Sequence, residues 1–268
     1  MGITTFISAT NIGYSHSGIL NLSTIHRLSD GSIIKIPYRV LTYEPVLITN
    51  NFNIVASAAF EFRFGGVDNW GISQGKIDLR ELYLEYLTSF GEFTLGKQVT
   101  TWGSASANNP TDNVSPLNYY YLFSIGKERR EGIFSLSSNL YYKDAKLNCV
   151  YIPQNAAHIV PLNDPEFAIN SPVSIRNDQI MSVTSPEYGF SLTAPFSSFE
   201  VTTSYFSGYD RIVSFFGANV WSNKAFTNPI VPDTVFSYRK TDMVGLGMSL
   251  LGEAYSLRGD FAFFNTGK

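Results

Sequence analysis

The sequence predicts an all-β fold, an antiparallel up-and-down transmembrane β-barrel with about 10–12 strands in this chain. Three observations carry that expectation. Apolar and polar residues alternate with a period of two along most of the chain. Connections alternate between short and long. Aromatic residues flank the short ones. Short turns on one side, long loops on the other, aromatic girdles and a polar interior are what a β-barrel needs to cross a bilayer.

The candidate strands, in order, are 3–14, 38–48, 52–64, 79–88, 92–102, 132–142, 146–153, 187–194, 198–208, 241–251 and 255–265. The first two are the weakest, and Pro37 and Pro45 disturb the second. The third is the clearest. Phe52, Ile54, Ala56, Ala58, Phe60 and Phe62 share one face, with Asn53, Ser57, Glu61 and Arg63 on the other. In the fourth, Leu82, Leu84 and Tyr86 oppose Glu81, Tyr83 and Glu85. Phe134, Leu136 and Leu140 oppose Ser135, Ser137 and Asn139. The last hairpin sets Val244, Leu246 and Met248 against Gly245, Gly247 and Ser249, then Phe261 and Phe263 against Arg258 and Asp260. The expected lipid-facing set therefore includes Phe60, Leu84, Leu136, Leu246 and Phe261. The expected inward set includes Glu61, Glu81, Ser137 and Arg258.

Short turns fall near 89–91, 143–145, 195–197 and 252–254, and long loops cover 103–131, 154–186 and 208–240. Phe90, Phe93, Tyr141, Tyr142, Phe196, Phe199 and Tyr255 flank the short turns. A soluble β-sandwich or lipocalin-like barrel also alternates, with its apolar side facing a core. Three features count against it. The polar faces are rich in Ser, Thr, Asn, Gly and Tyr and poor in Lys, unlike a soluble surface. Three loops of about 30 residues are uncommon in a compact soluble domain. Aromatics placed at the turns have no soluble rationale.

Composition narrows the function. Only 15% of residues are Asp, Glu, Lys or Arg, and 15% are aromatic, which excludes intrinsic disorder. The formal net charge is −3 with no strongly basic stretch, so no nucleic-acid partner is expected. No run approaches 18 apolar residues, so no transmembrane helix is expected. Cys149 is the sole cysteine and reads as a small hydrophobe on a strand. The first residues, Met1-Gly2-Ile3-Thr4-Thr5-Phe6, lack the charged and apolar regions of a signal peptide. An odd strand count leaves an edge unpaired in lipid. The reading is therefore one barrel domain over 1–268, continuing beyond both ends; the alternative is a closed barrel of 10 or 12 strands, miscounted.

Residues 80–153 carry a family resemblance. Arg80-Glu81-Leu82-Tyr83 leads through a hairpin to Phe93-Thr94-Leu95-Gly96-Lys97-Gln98. Then come Trp102-Gly103, Thr111-Asp112-Asn113-Val114-Ser115-Pro116-Leu117-Asn118, Glu128-Arg129-Arg130 and Tyr151-Ile152-Pro153. This order resembles a family of uncharacterised bacterial outer-membrane barrels, distantly similar to alginate-export and porin-like channel proteins. The hairpin 243–264 is similar to a later hairpin of such barrels. Lys97 stands where an Arg is usual and Asn118 where an Asp is usual, which removes a planar bidentate contact and a carboxylate partner. The resemblance implies a bacterial outer-membrane location and passage or export of a solute, which it does not name.

The function expected is thus a porin-like channel or export barrel, its partners outer-membrane lipid, an unidentified solute and a periplasmic or inner-membrane transport partner. The rival is a sealed surface-binding or adhesion barrel, and a distant third is an outer-membrane lipid hydrolase. Glu61, Arg63, Glu81, Glu85, Arg258 and Asp260 are the candidate pore-lining residues, setting selectivity in an open lumen or pairing into a network that seals it. Loop 103–131, with Asp112, Tyr119, Tyr120 and Tyr121, either narrows the lumen or packs its tyrosines on the rim. Lys97 falls on the lipid face by simple alternation, at a cost of roughly 2–4 kcal/mol near mid-bilayer. A β-bulge at Gly96 is expected to turn it inward and to put Trp102 in the outer girdle. No catalytic residue, metal or cofactor is expected. Three scattered histidines are too few for most such sites, His26 and His158 read as solvated, and Tyr14-Ser15-His16-Ser17 lacks the rest of a phospholipase pattern.

Overall fold

The computed structural model describes residues 12–63, 75–105, 109–121, 123–124, 126–162, 164–167, 179–221, 231–252 and 255–267. The chain is all-β. Its strands are β1 (Gly13–Leu20), β2 (Tyr38–Ile48), β3 (Phe52–Phe62), β4 (Gly75–Leu87), β5 (Gly91–Gln98), β6 (Ile133–Tyr142), β7 (Ala145–Ile152), β8 (Glu187–Pro195), β9 (Phe199–Tyr209), β10 (Ser214–Trp221), β11 (Val231–Ser237), β12 (Lys240–Leu251) and β13 (Ser256–Thr266). Eleven form one antiparallel up-and-down sheet in the order β1-β2-β3-β4-β5-β6-β7-β8-β9-β12-β13.

The alternation of the sequence becomes two chemically opposite faces. On β12, Thr241, Met243, Gly245, Gly247 and Ser249 are buried while Val244, Leu246 and Met248 are exposed. Phe134 is 59% exposed, Leu246 51% and Phe261 69%, and Phe60, Leu84 and Leu136 lie on the same outer surface. Glu61, by contrast, is 1% exposed and Arg63 0%. Glu81 and Ser137 are buried, whereas Arg258 is exposed on the Asp260 side of β13. A soluble sheet buries its apolar side; this one buries its polar side.

The sheet curls around its own loops. Within the β5–β6 connection, Lys127 Nζ donates to Glu44 on β2, while the Ser104 backbone N–H donates to Asp260 on β13. One loop therefore touches strands near both ends of the sheet order. Aromatics cluster at the short-turn end: Phe52 stacks on Tyr86 and Phe196 on Phe199, each at 4.7 Å between ring centres.

Several expectations need correction. The long loop 208–240 contains a two-stranded sheet, β10 with β11. Adjacent Phe215 and Phe216 and a register shift beside them break the period-two signal there. Strand β4 begins at Gly75, four residues earlier than expected. The β3–β4 register shifts between Ser57, opposite Glu81, and Ala58, opposite Leu79. Arg80 is the extra residue of a bulge, so the alternation changes phase and Arg80 and Glu81 are both buried. The expected bulge at Gly96 is absent, since the β4–β5 register runs unbroken from Leu82↔Lys97 to Leu87↔Glu92. Lys97 stays on the outer face, where pairing with β5 ends before Leu79, and its ammonium donates to the Leu79 carbonyl at 2.5 Å. Trp102 is not in an outer girdle; it is buried inside the sheet. Of the first candidate strand, 3–11 lies outside the described residues, and β1 extends beyond the expected end to Leu20.

Candidate functional site: an ion-paired plug over a polar vestibule

The concave face holds two loops, β5–β6 and β7–β8, tied to the wall by charged groups. The β5–β6 loop leaves β5 where Glu81 accepts the Val99 backbone N–H at 3.0 Å. Gly103 then turns at φ +83, where a side chain would collide with Thr111, Asn109 and Asp260. Asp260 accepts from Ser104 and Ala105 backbone N–H groups and from the Thr111 hydroxyl. Thr111 sits against Gly245, where a Cβ would lie 2.7 Å from its methyl group. The glycines of β12 thus make room for the loop.

Inside the loop, Asp112 accepts the Trp102 backbone N–H at 3.0 Å and an Arg130 Nη2 at 2.5 Å. Arg130 also donates to the Asp112 and Ser115 carbonyls. Burial pushes the Asp112 carboxyl up to about 6, against the opposing pull of Arg130. Trp102 donates from Nε1 to Asn148 on β7 at 2.7 Å and packs edge-on against Phe206. With Val114, Ile133, Val150, Ile152 and Met243 these rings form an apolar core between loop and wall.

The three tyrosines form a short 3-10 turn, Tyr119–Tyr121. Tyr121 is buried with the Arg39 guanidinium 3.8 Å from its ring centre. Tyr120 donates to Asp164, and Tyr119 meets the His158 ring edge-on. His158 is half-buried rather than solvated, because its Nδ1 accepts the Leu117 N–H at 2.9 Å. Burial, with Arg211 and Arg130 nearby, brings its pKa down to about 4. His26 is exposed and bonded to Thr24 and to the Gly31 carbonyl.

The candidate pore residues separate into two groups. Glu61 pairs with Arg39 and Lys76. Arg63 forms a bidentate pair with Asp164 at 2.7 and 2.8 Å, both side chains fully buried. Glu81 pairs with Lys127, and Asp260 is occupied by the loop backbone. Among the described residues, Glu85 is bonded only by the neutral Asn53 amide, at 2.7 Å. Arg258 has no ion-pair partner among the described residues. Sequence reading missed Arg39, Arg80, Asp164, Glu187 and Arg211 as inward groups. Arg39 and Arg80 both donate to Glu128. Arg211 donates to Glu187, Asn155 and the Asn113 and Val114 carbonyls, joining β8 to both loops. The one legible signal was Arg80, a charge adjacent to Glu81 that no single-phase strand can bury with it.

Beneath the plug, on the short-turn side, lies a cavity of about 600 Å³. Thr94, Ser137, Asn139, Asn148, Thr193 and Thr202 supply hydroxyl and amide groups to its wall. No family model matches the chain, and no curated protein matches it in sequence.

Proposed function

We propose that the chain forms the wall of a bacterial outer-membrane channel whose own loops constrict the lumen. One observation carries the reading: the sheet exposes large apolar or aromatic side chains on each of its central strands, from Leu41 on β2 through Tyr151 on β7 to Leu246 on β12, while Arg39, Glu61, Arg80, Glu81 and Glu187 are buried on the other face. Soluble monomers rarely expose contiguous apolar patches beyond a few hundred Å², whereas lipid requires such a surface and closed backbone pairing. The buried arginines and carboxylates then belong to a lumen, where partners or water meet each charge. The plug narrows the long-loop half and the vestibule opens the other half. A second reading, a sealed surface-binding barrel, is favoured by one feature, the complete pairing of Arg63 with Asp164 at the plug.

Planar-bilayer recording separates the two. A channel gives discrete openings, with selectivity for cations because Glu85 in the vestibule has no ion-pair partner among the described residues. A sealed barrel gives no opening at any voltage, and that outcome overturns the proposal.

A further inference from the structure

We propose that the short-turn vestibule is a binding site for an amine-bearing, polyhydroxylated solute of the aminosugar class. The proposal rests on the channel reading for its orientation and names the kind of solute that channel would take. The cavity volume of about 600 Å³ falls in the range of small-molecule sites. Its wall is unusual for such a site, because hydrogen-bonding side chains dominate it.

The register arranges those side chains in rows. Glu85, Thr94 and Ser137 lie side by side across β4, β5 and β6. Asn139, Asn148 and Ser191 follow across β6, β7 and β8. Lys146, Thr193 and Thr202 form the row nearest the turns. The rows are held in place by their own bonds. Asn148 Nδ2 donates to Ser137 Oγ and Asn139 Oδ1, and the Thr193 and Thr202 hydroxyls are 3.1 Å apart. A solute with several hydroxyls meets donors and acceptors already oriented, which lowers the ordering cost of binding.

Charge selects among such solutes. Glu85, Asp144 and Glu200 line the cavity and have no cationic partner among the described residues, and Lys146 is the one Lys or Arg among the described lining residues. Glu85 spends Oε2 on the Asn53 amide and leaves Oε1 without a hydrogen-bond partner among the described residues. An ammonium group would complete it with a charge-assisted bond. A bare metal ion does not fit. Among the described residues no three His, Cys, Asp or Glu side chains converge closely enough to hold one. Carboxylates spread around a polar cavity suit an extended cation that also carries hydroxyls, and they repel an acidic sugar of the same size.

The test is a charge series on one framework: glucosamine, glucose and glucuronate, titrated calorimetrically into the detergent-solubilised chain at pH 7. Glucosamine is expected to bind about tenfold tighter than glucose, in line with a hydrogen bond to a charged group, and glucuronate weakest of all. Glu85→Gln should bring the affinity for glucosamine down toward that for glucose, removing most of the preference for the amine. If that variant does not fold, as read by circular dichroism, Glu200→Gln should narrow the same preference. Equal affinity for the three sugars, preference for glucuronate, or no binding of any of them overturns the site. A conducting protein without the preference overturns the site and keeps the channel; a protein with the preference that never conducts keeps the site and overturns the channel.

Discussion

Single carboxylates hold the plug. Glu128 accepts from Arg39 on β2 and Arg80 on β4, two buried guanidinium groups on different strands. Removing one partner of a buried pair leaves an uncompensated charge, which costs more than the pair contributes. Glu128 is itself partly exposed, so water tempers the loss. Glu128→Gln should cost about 2 kcal/mol, read as a lower thermal midpoint in detergent; an unchanged midpoint would show that the two arginines have other support. His158 gives a pH-dependent counterpart. Its Nδ1 must stay unprotonated to accept the Leu117 N–H, and its pKa sits near 4. Between pH 6.5 and 4 the unfolded chain takes up that proton before the folded one, so this residue removes stability as pH falls. Asp112 acts in the opposite sense: raised to about 6, it keeps its proton longer in the fold and adds stability as pH falls. Replacing His158 by Gln should remove the first of these two slopes and keep the second. Relative to wild type, the variant gains roughly 3 kcal/mol on going from pH 6.5 to 4. Parallel pH profiles for the two proteins would remove His158 from the balance.

Strands were legible where their phase is constant and illegible where it changes. The inward Glu61 and outward Phe60 follow from period two alone, as do the opposite faces of β12. At Arg80-Glu81 the bulge makes two neighbours share a face, and no alternation rule expects that. The bulge expected at Gly96 had a sound motive, the cost of a lysine facing lipid; Lys97 instead stays on the outer face with its ammonium on the Leu79 carbonyl. The plug's wall contacts were invisible for another reason. Arg63 and Asp164 are 101 positions apart, and nothing local in either segment points to the other. Gly96 still has a special role. It lies at φ +141, and a Cβ there would come within 2.4 Å of the Leu82 carbonyl and 2.7 Å of Tyr83 Cα. Gly96→Ala should therefore cost about 2–3 kcal/mol and shift the β4–β5 register, seen as faster amide exchange at Leu82 and Leu84. Slow exchange with an unchanged midpoint would mean the strand pair accommodates the methyl group.

Taken whole, the molecule carries a loop anchored at two distant points of one curled sheet. Glu128 fixes it to β2 and β4, and Asp260 fixes its start to β13 through the backbone N–H groups of Ser104 and Ala105. Between these anchors the apolar cluster around Trp102 and Met243 holds the loop against β6, β7, β9 and β12. The anchors are electrostatic and the middle is hydrophobic, so the two contributions can be weakened separately. The double variant Glu128→Gln with Asp260→Asn removes both charges and leaves the apolar cluster intact. The sites share no partner, so their costs should add. If the loop is a movable constriction, the variant should open more often and conduct more in planar bilayers, with the sheet still folded by circular dichroism. Salt should matter too: raising ionic strength screens the exposed part of the Glu128 pairs, so wild-type openings should become more frequent in high salt and the variant's should not. If the loop is instead a fixed seal, the same substitutions lower the thermal midpoint and leave conductance at zero in every salt. A variant that folds, loses stability and stays closed would assign the ion pairs to structure and the surface of the molecule to its function.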